Sequence, residues 1–229
     1  MENLENLKLI YKEIIDARKQ QLKDTEKLKK GLMRELLTKG IGHKKFKMTK
    51  LGEIPEEWGK VPFIDCIDTD SLKKLKGIKK SDYKTKGLYP VFDQGQKFIS
   101  GYTDNESYVN KNYPAILFGD HTRIVKFIDQ PFVVGADGTK VFQCKDNVDA
   151  KFLYYSLLDI DIPNTGYNRH FKWVKEAKIL LPPLPQQKQI AKILSEVDNK
   201  ININKQIKNK LTTLKKGLMS DLLSGRVRV

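Results

Sequence analysis

The chain has 229 residues, 39% of them hydrophobic and 31% charged, with a formal net charge of +15. That length holds one sizeable core with additional elements, and the hydrophobic share excludes a disordered chain. No apolar run approaches the roughly 18 residues of a membrane-spanning helix.

The charge favours a polyanionic partner, with a lysine-rich solvated helix face as the plain alternative. It is unevenly spread. Residues 1–45 carry 12 Lys/Arg against 7 Asp/Glu (+5), residues 185–229 carry 10 against 3 (+7), and residues 46–184 carry 21 against 18 (+3). The first residues lack the basic-then-apolar pattern of an export signal. A cytoplasmic protein is therefore expected, with Cys66 and Cys144 as reduced thiols.

In chain order, Leu4, Leu7, Tyr11, Ile14, Leu22, Leu28, Leu32 and Leu36 recur mostly at steps of three and four. That spacing predicts one face of a long helix, closed by Gly40 and Gly42. Residues 47–61 read as a linker that ends by docking Trp58. Short β-rich runs follow at Leu88–Phe92, Phe98–Tyr102, Ala115–Phe118, Ile124–Phe127, Phe132–Val134 and Val141–Phe142, separated by glycines. A helix is predicted over Val148–Leu158 and a strand over Lys178–Leu181.

The last segment opens on Leu181-Pro182-Pro183-Leu184-Pro185, with Pro185 suited to a first helical position. Ile190, Ile193, Val197, Ile207, Leu211, Leu214 and Leu218 follow at heptad-like spacing. Lys200 and Asn204 fall where apolar residues are expected, and polar residues there fix register in a coiled coil. Gly225 closes this helix, with Arg226 and Arg228 beyond. The ten residues Leu28–Leu37 return as Leu214–Leu223 with eight identities, at an offset of 186. Two equivalent helices thus bracket one domain. Antiparallel pairing with each other is the simplest way to bury their narrow stripes, and pairing between molecules is the competitor.

Catalytic signatures are missing. There is no phosphate-binding G-x-x-x-x-G-K-[ST] loop, no G-x-G-x-x-G, no H-E-x-x-H and no C-x-x-C. His43, His121 and His170 have no metal-ligand spacing. Pro182-Pro183 follows Leu181, so it is not the Asn/Asp-Pro-Pro-aromatic tetrad of amino-methyltransferases. Asp159 or Asp161 before Glu176-Ala177-Lys178 loosely resembles the carboxylate plus E-x-K set of Mg²⁺-dependent nucleases. A solvated strand edge is the plainer reading.

Several stretches carry a resemblance. Leu180–Leu194 running on to Asp198, and the helix ending in Leu-Lys-Lys-Gly-Leu-Met and Asp221–Val227, resemble the conserved helix of Type I restriction-modification specificity subunits. Leu51-Gly52-Glu53-Ile54-Pro55-Glu56-Glu57-Trp58 resembles the start of a target recognition domain in that family, and Asn164–Phe171 its closing loop. The resemblance covers essentially the whole chain. It implies an α+β fold in which a β-rich target recognition domain is flanked by two long conserved helices forming an antiparallel coiled coil. The corresponding division is a spacer helix at 1–40, a linker at 41–60, the recognition domain at 61–184 and a second spacer helix at 185–225.

It further implies a non-catalytic subunit that reads double-stranded DNA and directs adenine methylation and cleavage by its partners. Those partners are modification (methyltransferase) subunits and a restriction (motor-nuclease) subunit. S-adenosylmethionine, ATP and Mg²⁺ are expected on the partners alone, and no metal or cofactor on this chain. The family usually has two recognition domains and this sequence has one, which leaves a half-size subunit, a homodimer on a symmetric split site and a fragment as readings. A stand-alone nuclease and a protein-binding helical scaffold remain the alternatives in other classes.

Base reading needs Arg, Asn or Gln at groove edges, with Lys and backbone N–H groups on phosphates. Three loops carry such residues. The first holds Asp120 with His121, Thr122 and Arg123. The second is Gly135–Lys140, ending in Lys140. The third runs from Asn164 to Lys172 and offers Tyr167, Asn168, Arg169, His170 and Lys172. Solvated turns are the alternative for each. Tyr102 and Trp173 read as packing aromatics.

Overall fold

The computed structural model describes residues 2–49, 52–72, 75–135, 138–166 and 168–224. Helix α1 (Glu2–Lys39) leads into the hairpin β1 (Phe46–Thr49) and β2 (Gly52–Pro55), then β3 (Gly59–Pro62) and β4 (Ile67–Asp68). Next come β5 (Tyr89–Phe92), β6 (Gly101–Thr103), β7 (Ala115–Gly119), β8 (Val125–Ile128), β9 (Val133–Val134) and β10 (Thr139–Cys144). Helices α2 (Ala150–Asp159) and α3 (Phe171–Glu176), strand β11 (Lys178–Leu181) and helix α4 (Leu184–Leu223) complete the chain. Two compact units result: Met1–Glu35 with Lys192–Val229, and Leu36–Ala191.

The first unit is an antiparallel helix pair. Lys29 Nζ lies 2.6 Å from Asp198 Oδ1 and Lys205 Nζ lies 3.0 Å from Glu26 Oε1, so numbers rise on one helix as they fall on the other. On α1 the partly or fully buried positions Lys8, Tyr11, Ile15, Arg18, Leu22, Thr25, Lys29 and Leu32 step 3-4-3-4-3-4-3. On α4, Leu194, Val197, Ile201, Asn204, Lys208, Leu211, Lys215 and Leu218 step identically. A strict 3.5-residue repeat is the seam of a two-stranded coil.

The expected stripes are corrected in detail. Ile15 occupies the seam while Ile14, Leu28 and Leu214 are exposed at 42%, 56% and 59%. Lys200 points outward and Ile201 takes the apolar place, whereas Asn204 is buried. The reason is that the repeat continues through the partly buried polar residues Arg18, Thr25 and Lys29, a place that long Arg and Lys side chains can take because their stems are apolar while their heads stay polar. Ranking residues by hydrophobicity shifts the stripe.

The second unit is β-rich. An antiparallel sheet in the order β4-β10-β7-β8 carries the larger core. There Phe63, Phe118, Phe142 and Ile116 pack with Leu153 and Leu157 of α2 and Phe171 and Val174 of α3. A second sheet, β6-β5-β9, pairs β5 with β6 antiparallel and with β9 parallel. Strand β7 is buried at all five positions, as a central strand covered on both faces must be. Asp149 caps α2 by accepting from Phe152 N–H at 2.8 Å.

The stretch read as a linker is folded. It forms the β1/β2 hairpin and β3, which pairs antiparallel with β11 from Lys178↔Pro62 to Leu181↔Gly59. Trp58 is 1% exposed, and its indole N–H donates to Gln186 Oε1 at 2.8 Å. Gln186 also meets His43 and donates to Ile41 O at 3.2 Å. Its neighbour Gln187, 1% exposed, accepts from Asp149 N–H at 2.8 Å and donates to Pro182 O at 2.8 Å. A Cβ at Gly40, where φ is +67°, would collide with the Trp58 ring. Gly40 therefore serves both as helix terminator and as the place where the indole docks.

The predicted strand Phe98–Tyr102 is shorter in the structure, with β6 confined to Gly101–Thr103. Closing-loop residues from Phe171 onward form α3. Gly225, Arg226 and Arg228 lie outside the described residues, as does Leu51 of the Leu-Gly-Glu-Ile-Pro motif.

Candidate nucleic-acid interface

The three loops singled out in the sequence meet at Asp120. This residue directly follows strand β7 and is 4% exposed. Its N–H donates to Gly138 O at 2.7 Å, fastening the turn before β10. Its carbonyl oxygen accepts from His170 N–H at 2.8 Å and from His170 Nδ1 at 2.9 Å. Its carboxylate Oδ1 accepts from Phe171 N–H at 2.9 Å. One buried residue thus ties loop 119–124 to Gly138 before β10 and to His170 and Phe171 at the start of α3, forming a rim.

His170 departs from the expectation. Its ring is fully buried, so it cannot reach a groove edge. A carbonyl oxygen only accepts, so Nδ1 carries the proton toward Asp120 O, and Nε2 is left as the acceptor facing Thr165 Oγ1 at 3.3 Å and Thr165 N–H at 3.4 Å. His170 shapes the loop from beneath. Asn168, Arg169 and Lys172 are exposed around it, with the Asn168 amide donating to Thr165 O and Lys172 Nζ 4.9 Å from the Trp173 ring centre. Trp173 packs against the larger core. Tyr167, Ala136 and Asp137 lie outside the described residues.

In loop 119–124, Thr122 is exposed and His121 and Arg123 are half-buried. Arg123 holds a left-handed backbone, φ +61°, which non-glycine residues seldom adopt. Its N–H donates to Gly119 O at 2.7 Å and its Nη1 to Ile162 O at 3.0 Å. The guanidinium therefore clips this loop to the segment after α2. Lys140 is half-buried on β10, in register with Phe118 of β7.

A fourth loop escaped the sequence reading. Residues 93–100, between β5 and β6, join the rim through Gln94. Its side-chain oxygen accepts from His121 N–H at 3.2 Å, and its backbone oxygen from Thr122 Oγ1 at 2.7 Å. A Cβ at Gly138, φ +69°, would run into the Gln94 amide, so only glycine lets the turn approach. Gln96 and Lys97 stand exposed at the tip. The visible signal was Asp93-Gln94-Gly95-Gln96-Lys97, two amides and a lysine around a glycine.

The base of this loop is an ionic node. Asp93 Oδ1 accepts from Gly95 N–H at 2.8 Å and from Ser100 Oγ, and Tyr83 Oη donates to Oδ2 at 3.4 Å. Lys126, 3% exposed, lies 3.9 Å from Asp93 and donates to Lys97 O at 2.6 Å. Burial works to raise the Asp93 carboxyl, but the Ser100 and Gly95 hydrogen bonds and the Lys126 charge outweigh it and hold it below its ordinary range. Burial lowers Lys126, and Asp93 partly restores it. Burial and the adjacent carboxylate push the Tyr83 phenol up to about 12, so it remains a donor.

The arrangement presents amides, guanidinium and ammonium groups on a rigid rim, the chemistry that reads base edges and holds phosphates. It offers little for bond breaking. Burial pushes the Cys66 thiol up to about 11 and the Cys144 thiol up to about 12. Glu176 and Lys178 are exposed, at the end of α3 and on β11. Among the described residues no three His, Cys, Asp or Glu side chains are grouped to hold a metal ion, and no helix is long and apolar enough to cross a membrane.

The chain is 29% identical over 96% of its length to the Type I restriction enzyme MjaVIII specificity subunit of Methanocaldococcus jannaschii, and 31% identical over 96% to the MjaX specificity subunit of the same organism. It spans 58% and 55% of those two proteins, little more than half of each. Among solved structures, the fold matches the S subunit of a Type I system from M. genitalium with a TM-score of 0.66 at 14% identity. That match covers 93% of this chain and 57% of the other. It matches the HsdS subunit from Thermoanaerobacter tengcongensis with a TM-score of 0.56 at 16% identity, covering 96% and 56%. The family model for the Type I restriction modification DNA specificity domain matches residues 55–213. With most of its length inside that match, the chain belongs to the Type I restriction modification DNA specificity domain family.

Proposed function

We propose that this chain is a sequence-reading subunit of a Type I restriction-modification enzyme, carrying one target recognition domain at about residues 61–184 between spacer helices. The observation that carries the reading is the rim of loops joined at Asp120, lying inside the stretch that matches the DNA specificity family. In it His121, Thr122, Arg123, Lys140, Tyr167, Asn168, Arg169 and Lys172 contact double-stranded DNA, and His170 holds the loop. The subunit itself is non-catalytic. It works in the cytoplasm with modification subunits that bring S-adenosylmethionine to adenine and a restriction subunit that uses ATP and Mg²⁺. Two copies supply the two recognition domains of a split site. The recurrence of Leu28–Leu37 at Leu214–Leu223 supports this, since it places the same lead-in sequence at both ends of the domain.

The test is the mass of the purified chain in solution, alone and with a Type I methyltransferase subunit, followed by methylation of duplex DNA. The expected result is a dimer near twice 26.4 kDa that binds the methyltransferase and directs adenine methylation to one sequence. Arg169→Ala should alter the methylated sequence rather than abolish methylation. Failure to bind any methyltransferase or duplex would overturn the assignment.

A further inference from the structure

Residues 73–86 contain seven lysines (Lys73, Lys74, Lys76, Lys79, Lys80, Lys84 and Lys86) against the single acid Asp82, a net of +6. Residues 46–184 as a whole sum to only +3, so the rest of that stretch is −3 and the average conceals one concentrated basic segment. Such crowding of like charge in a folded chain raises its free energy unless a polyanion relieves it.

The structure holds residues 75–86 of this segment at three points, Ile78, Tyr83 and Lys84. Ile78, 5% exposed, packs with Val91 and Val133 and forms a parallel bridge to Gly135, its N–H donating to Val134 O at 3.0 Å. Tyr83 donates to Asp93 at 3.4 Å, and a Cβ at Gly135 would strike its hydroxyl. Lys84 exchanges backbone hydrogen bonds with Tyr102 at 2.8 and 2.9 Å. The backbone is thus held against both the 135–138 turn and the 93–100 loop, while Lys76, Lys79, Lys80, Lys84 and Lys86 are exposed. Two of these are partly occupied: Lys84 pairs with Asp104 at 2.7 Å and Lys76 lies 4.6 Å from the Tyr108 ring centre. Lys79 and Lys80, the cap and first residue of a 3₁₀ turn at Lys80–Asp82, form no ion pair among the described residues.

We propose that this lysine strap is the phosphate-gripping flank of the DNA site, with Lys79 and Lys80 contacting the duplex backbone and setting the register in which the rim loops meet the bases. Because Ile78 and Tyr83 anchor the strap, its ammonium groups are already positioned before DNA arrives, and less ordering entropy is lost on binding. The proposal rests on the DNA-reading assignment above and extends it to residues outside the three loops.

The test uses the full chain and a duplex of random sequence, with affinity measured by fluorescence anisotropy across a salt series. Each phosphate contact contributes about 0.9 to the slope of log affinity against log salt. The double variant Lys79→Ala/Lys80→Ala should lower that slope by about 2, and the consensus selected from a randomised duplex pool should stay unchanged. The charge-matched control Lys60→Ala/Lys178→Ala, on the β3–β11 pair, should leave the slope as it is. An unchanged slope in the strap variant, or an equal fall in the control, overturns the strap proposal while the DNA-reading assignment stands. Absence of salt-dependent duplex binding by the unaltered chain overturns both.

Discussion

The helix pair and the β-rich unit are held together in opposite ways. The helices meet along a seam of eight positions on each side, and half of the α1 positions are polar. The β-rich unit depends on a few residues that each join several distant segments: Trp58 and Gln186 beneath the hairpin, Asp120 under the rim, Asp93 and Lys126 under the fourth loop. A distributed seam tolerates change, while a hub concentrates it. That contrast fits the role proposed above, long helices as spacers and a surface whose side chains hold fixed positions.

Substitutions can break or sharpen this contrast. The largest effect is expected from Trp58→Ala, which empties a fully buried site and leaves Gln186 without its indole partner. A cost of about 3–5 kcal/mol is expected, read by denaturant unfolding. Trp58→Phe should recover most of it. Asp120→Ala comes next, at about 1–3 kcal/mol, because the buried Phe171 N–H loses its acceptor. Hydrogen exchange should show lost protection at Phe171 and through the 163–170 segment, together with loss of sequence preference on DNA.

Asp93→Asn tests the ionic node through pH. Hydrogen bonds and Lys126 hold the Asp93 carboxyl below its ordinary range in the folded chain, so as pH falls the unfolded chain takes up that proton first. The stabilisation is complete above the ordinary carboxylate range and is lost as pH falls through the lowered folded value. The variant should lose about 1–2 kcal/mol near neutrality and show a flatter acid limb in melting temperature against pH.

On the helix side the expected effects are small. Lys29→Met, which removes a half-buried partner of Asp198, should change stability by no more than about 1 kcal/mol in either direction. Lys205→Ala, losing an exposed pair with Glu26, should cost about 0.2–0.5 kcal/mol and less at high salt. A loss of several kcal/mol from either helix variant would show that the seam has a hub after all.

How much of this could be read in the sequence follows the same division. The two helices, their pairing and most strands were legible, since amphipathic period and glycine punctuation are local signals. Ile15 was missed in favour of Ile14 because apolar residues were ranked without the polar members of the repeat. The linker reading missed β1, β2 and β3, because β3 exists only through its pairing with β11, more than a hundred residues away. Within the site, the three loops were identified separately from their composition. Their joining at Asp120 and the burial of His170 were not visible, because both depend on backbone carbonyls and amides that carry no sequence mark. The Gln94 loop was overlooked although its amides and lysine around Gly95 could be seen.

The sequence by itself determined the two long helices, the β-rich region between them, the net basic character and the resemblance that leads to the family. These rest on periodicity, composition and motif, which are properties of neighbouring residues. Tertiary structure alone decided which polar residues face outward and which are used internally. His170 lies beneath the loop that Asn168 and Arg169 expose, and Lys79 and Lys80 border the rim because Ile78 and Tyr83 fasten them there. The physical reason is that burial and hydrogen-bond partnership are set by segments far apart in the chain, so one residue type can read DNA at one position and hold a loop in place at the next.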